Sequence, residues 1–141
     1  MAPAALIDTS AIVAAVNASD SRHEDCLAAL ASVRIPLLTT EAVLTEFFHL
    51  VQSRSLNLDA AWRFVRSGAV TVHPVGDPEL PMLHALMAQY ADRPMDFADA
   101  TLVRLAQQQR LSTILTLDYG DFETYRLPHG KKFTILPRRP R

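Results

Sequence analysis

Five acidic side chains lie where the sequence pattern would let them meet in one place. Asp8 and Asp118 each follow an apolar run, AALI and STILTL respectively. Asp96 and Asp99 are three residues apart in PMDFADATLVRLA, so on a helix they share a face. Glu46 lies between apolar residues in VLTEFFHL. Carboxylate oxygens are the ligands that Mg²⁺, Mn²⁺ and Ca²⁺ prefer, so convergence of these acids predicts a divalent-cation site.

A carboxylate site of this kind favours phosphate chemistry. Without cations the carboxylates would repel one another, and some would stay protonated. With cations bound, the same acidic patch attracts phosphate, and two ions about 4 Å apart can stabilise the attacking and leaving oxygens of phosphodiester cleavage. Acids beyond the one or two that bind Mg²⁺ directly would orient water or hold a second ion.

Each acid also has a purely structural interpretation. Asp8 fits the N-cap of a helix over SAIVAAV. Glu46 alone fits a solvated helix position, and the acids of PMDFADATLVRLA favour the positive end of a helix. Asp118 and Asp121 fit a turn in DYGD. The joint arrangement, with acids in four segments distant in sequence, favours a shared site.

The elements that must position these acids follow from apolar runs and turn signals. Apolar runs predict strands at 4–7, 37–39, 69–73, 112–117 and 133–136. Helical spacing predicts helices at 10–16, 21–33, 41–54, 59–66 and 77–91, and another that opens at Pro94. Thr40 fits an N-cap, Ser21 with Glu24 fits a capping box, and Gly68 fits a helix C-terminus.

Strands that alternate with helices predict one α/β domain. The expected architecture has three layers, with helices on both faces of a mainly parallel central sheet of about five strands. The chain has 141 residues, about one domain's worth, and shows no internal repeat or linker, so residues 1–141 are expected to form a single unit. Ligands of such sheets bind at the carboxyl ends of the strands, where Asp8 and Asp118 lie.

Composition excludes several classes of protein. Half of the residues, 49%, are hydrophobic and 21% are charged, which does not suit a disordered chain. The single cysteine, Cys26, excludes an internal disulfide framework and a four-cysteine zinc site. No apolar stretch approaches the roughly 20 residues of a membrane span, and MAPAALIDTS does not fit a signal peptide. These features favour a reduced, cytoplasmic protein without membrane contact.

The formal net charge of −1 conceals an asymmetry. The segment 129–141, a predicted strand followed by a tail, holds five of the 14 Lys and Arg residues and no acid. The rest of the chain is therefore acidic. A pI near 6.5 argues against a protein that simply coats nucleic acid.

The acidic segments together resemble those of the PIN-domain family, and within it the VapC-type toxins of bacterial toxin–antitoxin pairs. The resemblance covers almost the whole chain. Its four blocks are LIDTSAIVAAV with Asp8, TTEAVLTEFFHL with Glu46, PMDFADATLVRLA with Asp99, and ILTLDYGDF with Asp118. No single block is specific, but four in this order at this length are.

This resemblance implies a PIN-like fold and a metal-dependent endoribonuclease that uses Mg²⁺, with Mn²⁺ as an alternative. Asp8, Asp99 and Asp118 would hold the metal, and Glu46 would reach it directly or through water. These four are the expected catalytic acids. Water activated by the metal would leave a 5′-phosphate and a 3′-hydroxyl. Supporting roles are expected for three further residues, Asp96, Thr9 and Thr116, whereas Asp121 is expected at the periphery.

The resemblance also implies partners. RNA would be the substrate, and the chain would form a homodimer. A cognate antitoxin would block the acidic cleft and repress the operon as part of the complex, so that DNA is contacted only through the antitoxin.

Other functions remain open or are disfavoured by particular residues. A phosphoacceptor receiver domain needs a lysine at a late strand end, but the chain's only lysines are Lys131 and Lys132. An Asp-x-Asp phosphatase needs an acid two residues after Asp8, where Ser10 stands. Within the PIN-like fold, a nuclease of RNA maturation and a non-catalytic metal- or RNA-binding module remain alternatives.

Overall fold

The strands and helices of the chain alternate as the sequence predicts. The computed structural model describes residues 2–141. Five strands are present: β1 (Ala4–Ile7), β2 (Arg34–Thr40), β3 (Val70–His73), β4 (Thr113–Leu115) and β5 (Thr134–Leu136). The α-helices in the described part of the chain are α1 (Thr9–Val16), α2 (His23–Ala31), α3 (Glu41–Ser53), α4 (Leu58–Arg66), α5 (Leu80–Gln89), α6 (Phe97–Gln109) and α7 (Tyr119–Thr124). Short 3₁₀ turns lie at Asp77–Glu79 and Pro128–Gly130.

The five strands form one sheet in the order β3-β2-β1-β4-β5. Every neighbouring pair is parallel, with Leu6 of β1 opposite Leu38 of β2 on one side and Ile114 of β4 on the other. The carboxyl ends of all five strands therefore lie along the same edge. The predicted parallel sheet is confirmed.

Helices cover both faces of this sheet. Successive side chains of a strand point to opposite faces. Ala5, Leu6 and Ile7 of β1 are each 0% exposed, so neither face of the central strand meets solvent. The predicted three-layer architecture follows from this burial.

Capping explains where several helices begin and end. The Thr40 hydroxyl accepts a hydrogen bond from the Val43 amide at 3.3 Å, which confirms the predicted cap of α3. Asn57 accepts from the Ala60 amide at 3.0 Å and caps α4. After α4, Gly68 has a φ of +90°, a left-handed conformation that favours glycine.

Other predicted boundaries are wrong. Ser21 does not cap α2, because the Asp20 carboxylate accepts from the Arg22 amide at 2.8 Å and closes a turn first. The helix expected to open at Pro94 begins at Phe97, with Asp96 at its N-cap. Helix α7 was not expected at all. In the part of the chain that the structure describes, no helix is long and apolar enough to cross a membrane.

Candidate active site

The predicted acids line one cavity at the carboxyl ends of β1 and β4. The chain leaves the central strand β1 toward β2 on one side and returns through β4 on the other, so this is the switch point at which such sheets bind ligands. The cavity measures about 260 Å³. Its acidic side chains are Asp8, Asp20, Glu46, Asp96, Asp99 and Asp118. Of these, only Asp20 was not considered as a site residue from the sequence.

Asp8 occupies the N-cap position of α1 but does not cap it. Its backbone is extended, and its side chain accepts no hydrogen bond from the helix. Instead, Oδ2 of Asp8 accepts from the Thr116 hydroxyl at 2.9 Å. Oδ1 is buried and has no hydrogen-bond partner among the described residues. The capping interpretation therefore does not account for Asp8, and one carboxylate oxygen remains available to a ligand.

The Thr116 hydroxyl also ties the Asp118 loop to β1. It accepts a hydrogen bond from the Asp118 amide at 3.0 Å while donating to Asp8. Ser10 reinforces the link, because its hydroxyl accepts from the Leu117 amide at 2.9 Å. Thr9, expected to support the site, lines the cavity, but its hydroxyl points to the Val43 carbonyl of α3 at 3.4 Å.

Asp99 is held from two directions at the start of α6. Asp96 caps this helix by accepting a hydrogen bond from the Asp99 amide at 2.8 Å. The Tyr125 hydroxyl donates to Oδ2 of Asp99 at 2.7 Å, in an environment where both residues are buried. Tyr125 packs edge-on against Tyr90 and Phe122, which fixes its ring. Sequence reasoning missed Tyr125, since no local pattern links positions 99 and 125.

Asp121 lies closer to the other acids than the sequence indicates. One carboxylate oxygen from each of Asp99, Asp118 and Asp121 lies within 4.8 Å of the others. Helix α7 begins directly after Asp118, and this turn brings Asp121 back to it. Asp121 therefore lies beside Asp99 and Asp118, although it does not line the cavity and pairs with Arg93 at 3.7 Å. Asp8 lines the adjoining cavity but is not a member of this closest cluster.

Glu46 completes the carboxylate lining from α3. It is half-buried and lines the cavity together with Leu50, one turn further along the same helix. A cation, Arg54, follows at the end of α3 and also lines the cavity. Arg54 was not considered from the sequence.

Three carboxylates of this cavity have raised pKa values. Burial raises the pKa of Asp8 to about 7, and the nearby charges of Glu46 and Asp118 add to this effect. Burial, followed by the charge of Asp8, raises the pKa of Asp99 to about 8. Burial and the hydrogen bond with Asp121 raise the pKa of Asp118 to about 6. No salt bridge compensates Asp8, Asp99 or Asp118 within residues 2–141.

Comparison with known proteins assigns this arrangement to a family. The family model described as PIN domain matches residues 5–126, which include all of the acids discussed above. The chain belongs to the PIN-domain family. The resemblance inferred from the four acidic blocks is thereby confirmed.

Two proteins from Mycobacterium tuberculosis are similar to the chain, and the first of them places it among PIN domains of the VapC type. Ribonuclease VapC26 is 32% identical over 135 residues, a match that covers 94% of this chain and 99% of the relative. The crystal structure of VapC20, a sarcin-ricin loop cleaving toxin, superimposes with a TM-score of 0.73 at 24% identity. This superposition covers 84% of this chain and 94% of VapC20 and supports the PIN fold.

The side chains of this PIN domain fit a hard divalent cation. The donors are carboxylate oxygens, which such cations prefer to nitrogen or sulfur. The buried Oδ1 of Asp8 has no partner among the described residues, and one carboxylate oxygen from each of Asp99, Asp118 and Asp121 lies within 4.8 Å of the others. A bound cation would satisfy the first and relieve the repulsion among the others, so divalent-metal use by this family agrees with the site.

Proposed function

We propose that this PIN-domain protein is a metal-dependent endoribonuclease that acts as the toxin of a toxin–antitoxin pair. The observation that carries this proposal is the buried, unpartnered Oδ1 of Asp8 in a cavity lined by acids. A folding chain rarely leaves such an oxygen without a partner unless a ligand satisfies it. The names of ribonuclease VapC26 and of the VapC20 toxin support RNA as the substrate class.

The metal ligands in this proposal are Asp8, Asp99 and Asp118, with Glu46 binding directly or through water. Mg²⁺ is the proposed ion, with Mn²⁺ as an alternative. When bound, the cation supplies positive charge that draws in the phosphodiester and offsets the charge that develops on its oxygens. Asp121 adds a further carboxylate beside Asp99 and Asp118.

The neighbouring residues hold these acids in place. The Thr116 hydroxyl donates to Asp8, which follows β1, and accepts from the amide of Asp118, which follows β4. It thereby fixes the distance between these two proposed ligands. Asp96 accepts a hydrogen bond from the Asp99 amide, and this cap leaves the Asp99 carboxylate free for the site. Such hydrogen bonds restrict the ligand side chains before a metal binds, so that less conformational entropy is lost on binding.

The acids also determine which nucleophile is expected. Carboxylates such as Glu46 can orient a water molecule for in-line attack on the phosphate. The described residues that line the cavity include no histidine to activate the RNA 2′-hydroxyl. Cleavage is therefore expected to leave a 5′-phosphate and a 3′-hydroxyl.

We further propose that residues 1–141 act as one catalytic unit in the cytoplasm, as a homodimer that a cognate antitoxin neutralises. The VapC character of the relatives supports an antitoxin partner. DNA would be contacted only through the complex with that antitoxin.

The experiment that tests the activity is cleavage of total bacterial RNA by the purified chain with Mg²⁺ or with EDTA. We expect fragments only with Mg²⁺, and none from Asp99→Asn of equal thermal stability. Fragment ends should ligate as 5′-phosphates. Equal cleavage in EDTA or by Asp99→Asn, or 2′,3′-cyclic phosphate ends, would overturn the mechanism. Metal binding without cleavage of any RNA would favour the non-catalytic binding module.

A further inference from the structure

The cations of the C-terminal segment separate into two groups on opposite edges of the sheet. Lys131 and Lys132 precede β5, whereas Arg138, Arg139 and Arg141 follow it. All five side chains are exposed. Because every strand is parallel, the chain leaves β5 at the edge that carries Asp8 and Asp118. We call the residues after β5, 137–141, the tail.

The tail is fixed beside the acidic cleft by Tyr119. This tyrosine follows Asp118 directly in the chain, and its hydroxyl donates to the Pro137 carbonyl at 2.7 Å. The same hydroxyl accepts from Nη2 of Arg22 at 3.0 Å. Upstream, the Thr116 amide donates to the Leu136 carbonyl at 3.0 Å. The tail is therefore anchored to the loop that carries Asp118.

Guanidinium groups surround this anchor. The Arg22 and Arg139 guanidinium carbons lie 5.8 and 5.5 Å from the centre of the Tyr119 ring. Arg139 also pairs with Glu123 of α7 at 3.2 Å, but both side chains are more than half exposed, so solvent weakens this pair. Arg138 has no salt bridge within residues 2–141.

A groove of about 350 Å³ runs between α2 and the tail, and its charge is also positive. Its lining includes Arg22 at the start of α2, Arg138 of the tail, and Leu136 and Pro137 between β5 and the tail. Its one acid among the described lining residues, Asp25, is bound by Arg22 at 2.8 Å. This leaves the Arg138 charge uncompensated.

We propose that the tail arginines, Arg138, Arg139 and Arg141, bind RNA phosphates next to the one that enters the acidic cleft. This inference rests on the proposed function. The cation held in the cleft draws in one phosphate, and exposed guanidinium groups at the border of the cleft supply attraction for the phosphates next to it. RNA is favoured over a protein partner because the cations border the phosphodiester site itself.

The lysines before β5 provide a matched control. Arg138→Gln/Arg139→Gln and Lys131→Gln/Lys132→Gln each remove two adjacent exposed charges from the same segment. They differ in the edge of the sheet from which the charge is lost. Both are made in an Asp99→Asn background, so that RNA stays intact.

The measurement is fluorescence anisotropy of a labelled 20-nucleotide RNA of mixed sequence, with Mg²⁺, from 50 to 300 mM KCl. We expect the arginine variant to weaken binding about 10-fold at the lowest salt. Its slope of log affinity against log salt should be shallower by about 1.4, since each phosphate contact on single-stranded RNA contributes about 0.7. The lysine variant should stay within about 2-fold of its parent.

The outcomes separate this inference from the proposed function. If the unmodified chain cleaves RNA but the arginine variant binds it with unchanged affinity and slope, the tail does not contact RNA and serves another partner. An equal loss in the lysine variant would mean that only net charge matters, which also overturns the inference. If the parent binds no RNA at all, both the inference and the proposed function fail. Thermal melts of all variants verify that the fold is retained.

Discussion

Two cavities at the same edge of the sheet differ in whether their carboxylate oxygens have hydrogen-bond partners. At the ends of β2 and β3, a cavity of about 90 Å³ contains Glu79, and both of its oxygens are bound. Arg104 Nε and Gln108 Nε2 each donate to Glu79 at 2.8 Å. At the ends of β1 and β4, Asp8 has one oxygen bound and one without a partner.

The difference indicates that the chain gives up stability for ligand binding at the acidic cleft and not at the Glu79 cavity. Nε2 of His73, which lines the first cavity, has no partner among residues 2–141, but both oxygens of Glu79 are bound. In the acidic cleft, Asp8, Asp99 and Asp118 have no salt bridge among the described residues, although Asp121 beside them lies 3.7 Å from Arg93. A buried carboxylate oxygen without a partner is destabilising, and a bound cation that contacts it would explain why the chain keeps it.

The largest expected effect comes from removing one carboxylate from each cavity. Asp8→Asn should reduce RNA cleavage about 1,000-fold, because several kcal/mol of metal-dependent charge stabilisation are lost. Glu79→Gln should keep activity within about 2-fold. Initial rates with Mg²⁺, together with Mn²⁺ binding measured by calorimetry, check both. Comparable losses in the two variants would mean that the cavities do not differ in function.

A smaller effect is expected from the hydroxyl that positions Asp99. Tyr125→Phe keeps the buried ring and removes only the hydrogen bond to the carboxylate, so Mn²⁺ affinity should fall roughly 10- to 100-fold. Tyr90→Phe is the control, since its hydroxyl accepts from the Arg126 amide and touches no acid. Calorimetry measures affinity, and thermal melts measure stability. Loss of stability in Tyr125→Phe at unchanged affinity would reduce Tyr125 to a core residue.

The sequence predicted most of the fold because local and long-range signals agree there. Each apolar run became a strand, and the helices between them allowed only parallel pairing. Helix α7 was missed because DYGDFETY has too few apolar residues for a helical pattern. Tertiary packing decides its conformation instead, with Phe122 fully buried against Tyr125 and Phe133.

The missed helix also explains why the sequence did not place Asp121 beside Asp118. Without α7, Asp121 reads as a turn residue three positions beyond Asp118, and only the helix returns it to the cluster. Ser10 and Tyr125 were missed for a different reason. Their partners lie far along the chain, 107 residues away for Ser10 and 26 for Tyr125, so no spacing rule reveals them. Strand ends predict where acids converge, but the groups that hold them require the folded chain.

The remaining expected effect is on stability and not on activity: the pH dependence of unfolding without metal. The folded chain holds protons on Asp8 and Asp99 up to pKa values of about 7 and 8, whereas unfolding returns both groups to about 3.8. Between these values the folded state binds more protons than the unfolded state, so its stability falls as pH rises and levels off above about 8. In EDTA we expect unfolding by urea to require less free energy at pH 8.5 than at pH 5. Asp8→Asn should weaken this dependence, because Asp99 alone then carries it, and Mg²⁺ should offset it at pH 8.5. Stability in EDTA that rises between pH 5 and 8.5 would show that the cleft carboxylates are compensated, as Glu79 is.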